Sequence, residues 1–333
     1  MRRATITGTG AYVPPTVVSN AELSARLGED IDDFVSNVLG IRERHVCGPA
    51  ESTADLAVEA GRRALESAGL APEEIDLLVV STDTPEYISP PTSSVVQGRL
   101  GLLRAGTFDV NAACAGFVTA LDVAWKYVVA DERYRRVLVV AVYAMSKFVD
   151  PLDKKTATIF ADGAGAVVLE ASAEPGILAT ELFADGRLEG GMGIFAGGTR
   201  EPVTEAVLRE GRRNRLRFVE KYPKEVNEEG WPRIVRSVLG RLGRREADVD
   251  LWLWTQVNLS TIRIVMERLG EPMEKTHTVM GKWGYTGSAC LPMALHDARE
   301  VGRLRPGDLV VMTGSGAGLA MGCLALRWNP VRG

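Results

Sequence analysis

EEIDLLVV at residues 73–80 and ADVDLWLW at 247–254 are the two stretches that decide how this chain folds. Each sets an Asp just ahead of a short apolar run, the composition of a strand buried on both faces. The offset from Asp76 to Asp250 is 174, and two further pieces keep nearly the same value. Ala120-Leu121 recurs as Ala294-Leu295, again 174 apart, and VLVV at 137–140 recurs as DLVV at 308–311, 171 apart. Each piece alone is generic, but the shared order and spacing are not. Helix-periodic segments such as LAVEAGRRALESAGL (56–70) alternate with these runs, so the fold class is α/β. The chain reads as two similar βαβ-rich halves, residues 1–172 and 173–333.

Composition removes several function classes. The 333 residues carry 39 Lys+Arg against 43 Asp+Glu, a net charge of −4, which gives no electrostatic basis for nucleic-acid binding. Four cysteines without a CxxC pair and only three histidines argue against a zinc site or a disulfide scaffold and suit a reducing compartment. The N-terminus has no apolar core of a signal peptide, and the longest apolar run, Val137 to Met145, is about half of what spans a bilayer. No membrane span is expected, and the location expected is the cytoplasm.

Residues 185–230 interrupt the repeat with a Gly-rich stretch and five arginines at 209, 212, 213, 215 and 217. Surface loops and a helix are expected there. The arginines suit either the phosphates of a nucleotide-bearing ligand or an acidic carrier protein, or simply a solvated face offset by Glu205, Glu210 and Glu220.

The chemistry is expected at Cys114. GTFDVNAACAGFVTALDVAWKYVV reads as strand, tight turn and long apolar helix, with the cysteine at the start of the helix. Helix N-terminal amides favour an anion, so a thiol there is expected to ionise more easily and act as a nucleophile. Small neighbours leave room for a substrate carbonyl. Cys47, Cys290 and Cys323 read as inert.

Four segments, GIRERHV (40–46), DVNAACAGFVTAL (109–121), TIFADGAGAVVL (158–169) and GSGAGLAMGCLALRW (314–328), resemble the ketoacyl synthase III-type enzymes of the thiolase superfamily. The resemblance implies a thiolase-like five-layered αβαβα fold and a homodimer. It also implies that Cys114 takes an acyl group from an acyl-CoA or acyl carrier protein. CoA or phosphopantetheine thioesters would be substrates, with no cofactor held permanently.

At other positions the chain departs from that family. Where the resemblance implies a catalytic histidine, the string is Thr255-Gln256-Val257-Asn258, and where it implies an asparagine the residue is Tyr285. Both replacements carry hydroxyls, which reads either as a rebuilt pair of donors or as filler. None of His45, His277 and His296 is assigned as a substitute. Asp83 follows the first strand of the repeat, where the HMG-CoA synthase branch carries a glutamate, and is a candidate general base; the alternative is a turn Asp before Pro85. Glu86 and Tyr87 are less specific. Backbone oxyanion donors are implied at Cys114 and in the turn Gly316-Ala317-Gly318, where Ala317 is acceptable only with negative φ. The CoA or carrier contacts fall on Phe34, Lys154, Lys155 and Asn258, with Val38 in place of an arginine.

Three readings follow: condensation of a Cys114-bound acyl group with a malonyl-type thioester; transfer of that group to an alcohol, amine or thiol, or an HMG-CoA synthase-like condensation, with Asp83 as base; and a weakly catalytic binding or partner subunit. The first is preferred.

Overall fold

The computed structural model describes residues 2–329. Nine strands build two main sheets. The first holds β1 (Arg3–Tyr12), β2 (Leu77–Ser81), β3 (Gly106–Val110), β4 (Arg136–Ala144) and β5 (Asp162–Ser172), in the order β1-β5-β4-β2-β3. The second holds β6 (Ile177–Ala184), β7 (Leu251–Trp254), β8 (Leu309–Gly316) and β9 (Ala320–Arg327), in the order β6-β9-β8-β7. The second order repeats the first. β2 and β4 pair in parallel, as do β7 and β8, while the strands that follow them return antiparallel. The place of β3 is held in the second sheet by one parallel bridge, Trp252 to Thr276.

Four helices complete the layers: α1 (Thr53–Ala68), α2 (Gly116–Ala130), α3 (Gly230–Arg241) and α4 (Cys290–Glu300). α1 packs on the outer face of the first sheet and α3 on the second, while α2 and α4 touch both sheets and fill the space between them. The result is the αβαβα sandwich. α1 lies flat on β1 because its inner face is small: Ala57, Ala60, Gly61, Ala64 and Ala68. A β-carbon on Gly8 or Gly10 would stand 2.4 Å from the carbonyl oxygen of Ala64 or Ala60. Ser52 and Asp55 cap the start of α1, and Gly69 closes it with φ 60°.

α2 with the turn before it, Ala113–Ala130, is the one helix among the described residues long and apolar enough to cross a membrane, and 56% of that segment is buried inside the protein. Its position between two sheets accounts for that apolarity. The segment after β6 forms short helices and a two-stranded ribbon, Met192–Gly193 with Arg217–Phe218.

Candidate active site

The polypeptide turns sharply between β3 and α2. The Asn111 Oδ1 accepts the Ala113 N–H at 3.1 Å, and the Ala115 N–H reaches the Ala112 carbonyl at 3.1 Å. Ala113 has φ 45° and is the only non-glycine described residue at positive φ. Such backbone costs about 1–3 kcal/mol and persists where the surroundings enforce it. Cys114 follows at 2% exposure. The end of β8 crosses directly over it: a β-carbon on Gly316 would sit 2.3 Å from the Cys114 nitrogen. On the other side, a β-carbon on Gly116 would sit 2.1 Å from Ser81 Oγ. Two glycines thus let three segments converge on one thiol. Ala317, in the hairpin after Gly316, lies outside the positive-φ set, as its β-carbon requires.

The expectation of an acidified thiol is corrected. Burial pushes the Cys114 thiol well above its ordinary value, the Asp83 carboxylate adds to the rise, and a hydrogen bond from the Tyr285 hydroxyl offsets part of it. Loss of hydration outweighs the short helix start. The resting thiol is therefore neutral.

Tyr285 is fixed from both sides, donating its N–H to the Ile159 carbonyl at 3.1 Å and accepting the Ala161 N–H at 2.9 Å. Its ring packs 5.7 Å from that of Phe160. Thr255 behaves differently and corrects the expectation of two rebuilt donors. It is 1% exposed and absent from the cavity wall, and its Oγ1 accepts the Ser315 N–H at 3.0 Å. It holds the β8 end in place. Asp83 does reach the site. Desolvation lifts its carboxyl to about 6, and its Oδ1 is buried without a hydrogen-bond partner.

Two cavities adjoin near this turn, and Cys114 lines the first of them. An outer chamber of about 630 Å³ contains Cys114, Tyr285 and Tyr222 at its floor and Phe34, Val38 and Asn258 on its wall. Phe34 is 53% exposed, and the Asn258 Oδ1 caps the helix Leu259–Leu269. A second cavity of about 560 Å³, the inner cavity, is lined by Asp83, Asn111, Tyr143 and Glu189 with apolar groups among them, and it opens to solvent at the exposed Ala184, Gly186 and Glu189. Met192, Ala317 and Leu319 border both.

Lys154 and Lys155 do not join the chamber. Lys154 pairs with Glu29 at 2.9 Å, and Lys155 lines a separate basin with Arg212, Arg215 and Arg217. Of the other arginines, Arg209 pairs with Glu205 and Arg213 with Glu201. The histidines are engaged elsewhere: His45 Nδ1 lies 2.6 Å from the Pro14 carbonyl, His296 Nδ1 2.9 Å from Thr9 Oγ1, and His277 Nε2 2.8 Å from Asp297 Oδ2. Two tyrosines escaped the sequence reading. Tyr143 ends the apolar run of β4 and is indistinguishable there from core filling, and Tyr222 lies in the irregular insertion with no pattern to mark it.

The family model for 3-oxoacyl-[acyl-carrier-protein] synthase III matches residues 108–186, and the model of its C-terminal part matches residues 239–328. Over 330 residues the chain is 40% identical to β-ketoacyl-[acyl-carrier-protein] synthase III 1 of Halalkalibacterium halodurans, covering 99% of this chain and 100% of that one. Among solved structures, the 3-oxoacyl-(acyl carrier protein) synthase III of Pseudomonas aeruginosa superposes with a TM-score of 0.90 at 34% identity, over 99% of this chain and 100% of that one. The priming β-ketosynthase of the R1128 polyketide pathway gives 0.90 at 32% identity, over 98% and 97%. With a five-layered fold, a cysteine elbow under a glycine hairpin and full-length likeness at these levels, the chain belongs to the 3-oxoacyl-[acyl-carrier-protein] synthase III family of the thiolase superfamily, a family of condensing acyltransferases.

Proposed function

We propose that Cys114 takes an acyl group from a CoA or carrier-protein thioester entering the outer chamber and condenses it with a malonyl-type thioester. The observation that carries this reading is the Cys114 thiol lining the outer chamber together with Tyr285, beside a second cavity that holds Asp83. One cavity can admit the thioester arm while the other receives the acyl chain. The names of the relatives, which specify acyl carrier protein, point to the same donor class.

In acylation the Cys114 sulfur forms a bond to the thioester carbon as its proton passes to Asp83, and the proton then returns to the departing thiolate. A carboxyl held near 6 is suited to that exchange at neutral pH. In condensation the malonyl thioester loses CO2, its carbon attacks the acyl carbonyl, and the Cys114 thiolate leaves. The departing Cys114 thiolate takes a proton from solvent to return to the thiol. The enolate charge collects on the malonyl thioester oxygen as CO2 leaves, before the carbon attacks. Tyr285 is the hydroxyl placed to donate to it, a single donor in place of two; removing one well-aimed donor costs about 3–4 kcal/mol in barrier.

Asp83 supports a second reading. A carboxylate beside the acyl-enzyme, with no imidazole in the chamber, also suits transfer to an alcohol, amine or thiol, Asp83 taking the acceptor proton.

Intact-protein mass spectrometry with a panel of acyl thioesters tests the acyl-enzyme. A mass gain on the wild type that Cys114→Ala abolishes is expected; no gain, or the same gain on the variant, would sink the proposal. Added malonyl thioester then separates the readings. CO2 release supports condensation, and acylation without it favours the second.

A further inference from the structure

Two buried polar side chains without hydrogen-bond partners line the inner cavity. Tyr143 is completely buried and its hydroxyl has no hydrogen-bond partner, and the residue lines the inner cavity and not the outer chamber. Asp83 Oδ1 is a second buried polar atom without a partner on the same wall. Burying such groups unpaired is costly, and buried polar atoms in native proteins nearly always find a partner. Neither is packed against by accident: Tyr143 stands against Gly287, where a β-carbon would come within 2.4 Å of its ring, so the neighbouring turn is shaped around it.

Both groups lie close to the thiol. Burial raises the Tyr143 hydroxyl well above its ordinary value, and Asp83 and Cys114 add to the rise, so the three groups are neighbours. The rest of the wall holds the apolar Met145, Ile194, Phe195 and Leu216, together with the exposed Glu189. A simple alkyl chain would leave both orphan atoms unpaired. A chain with a donor on its first few carbons would satisfy Asp83 and Tyr143 and still lay its remainder on the apolar wall.

We propose that the acyl group loaded on Cys114 carries a hydrogen-bond-donating substituent, a hydroxyl or an amine, within the first few carbons of the carbonyl, read by Tyr143 together with Asp83. The proposal rests on the acyl-enzyme reading above and adds the chemical class of the acyl donor. A site with buried groups waiting for a partner discriminates strongly against the analogue that lacks it.

The test measures the rate of Cys114 acylation of the full chain by butyryl-CoA, 3-hydroxybutyryl-CoA and 3-aminobutyryl-CoA, followed by mass. At least one substituted donor should exceed butyryl-CoA by about tenfold or more, and the faster of the two identifies the substituent. Tyr143→Phe removes only an unpartnered hydroxyl, so its melting temperature should match the wild type while the preference falls several-fold. Butyryl-CoA as fast as both substituted donors on the wild type overturns the proposal, and so does an unchanged preference in Tyr143→Phe. The wild-type ratio decides even where the variant does not fold. Absence of acylation by every donor overturns the acyl-enzyme reading itself, and acylation without preference overturns only this inference.

Discussion

The chain makes the same turn twice and gives it different work. Asn111-Ala112-Ala113-Cys114 in the first half and Tyr285-Thr286-Gly287-Ser288 in the second are separated by the same offset as Asp76 and Asp250. Ala112 and Thr286 have φ/ψ of −134°/35° and −104°/32°, and Ala113 and Gly287 have φ of 45° and 51°. A short 3-10 turn follows in each, then a helix that touches both sheets. With the backbone nearly the same, side chains decide the outcome. The first turn puts a thiol on the wall of the outer chamber. The second puts Ser288 at that position, where its hydroxyl donates to the Val142 carbonyl at 3.4 Å and lines neither of these two cavities. The second turn contributes through its first residue instead, since Tyr285 occupies the place of Asn111 and reaches across to Cys114. The strand ends before them differ in the same way. Ser81 Oγ has no partner, whereas Thr255, its counterpart in the second half, anchors Ser315.

The sharpest way to break this comparison is to truncate both fourth positions. Cys114→Ala should abolish acyl-enzyme formation, whereas Ser288→Ala should retain it and lose at most about 1 kcal/mol of stability, the worth of one weak hydrogen bond. Comparable loss of acylation in both variants would refute the division of labour.

Backbone changes at the third positions come next. Gly287→Ala forces a β-carbon to 2.4 Å from Tyr143 and leaves an alanine at positive φ. A loss of about 3 kcal/mol or more is expected, read as a fall in denaturation midpoint. The converse, Ala113→Gly, relieves the strained alanine and should stabilise by up to about 1 kcal/mol. A rise in thermal midpoint of about 2 °C would sharpen the view that the first turn keeps its strain to aim Cys114; a fall would contradict it.

The last difference concerns Asp83, which has no acidic counterpart in the second half, where Val257 takes the equivalent place. Its native carboxyl lies near 6, above its unfolded value, so the native state binds the proton more tightly and stability falls as pH rises from about 4 through 6. Asp83→Asn should therefore melt higher than the wild type at pH 8, with the gap closing toward pH 4. In the proposed mechanism, acylation by the wild type rises through an apparent pKa near 6, and the variant loses that limb. A variant as fast as the wild type, with the same pH profile, would remove Asp83 from the reaction.

Much of this was legible in sequence because it depends on local order. Strand runs, their repeat spacing and the strand-turn-helix around Cys114 follow from periodicity and small residues, and the resemblance supplied the layered fold. The direction of the thiol's shift was not legible. A helix start favours the thiolate, but how deeply the sulfur is buried depends on β8 crossing over it from the other half of the chain, and that burial reversed the sign. Thr255 and Tyr285 looked alike as hydroxyl replacements, and only packing separated them, one turned toward a backbone amide and the other onto the sulfur. Lys154 and Lys155 adjoin the right segment but point to other partners.

The sequence by itself determined the α/β class, the two-fold repeat, the family and the position of the cysteine, since these are written in neighbouring residues and in spacing along the chain. Only the tertiary structure decided which side chains face Cys114, that its thiol rests neutral, and that Tyr143 and Asp83 end in a cavity with unpaired polar atoms. The physical reason is that desolvation and hydrogen-bond satisfaction depend on distances between segments far apart in sequence, which no local pattern records.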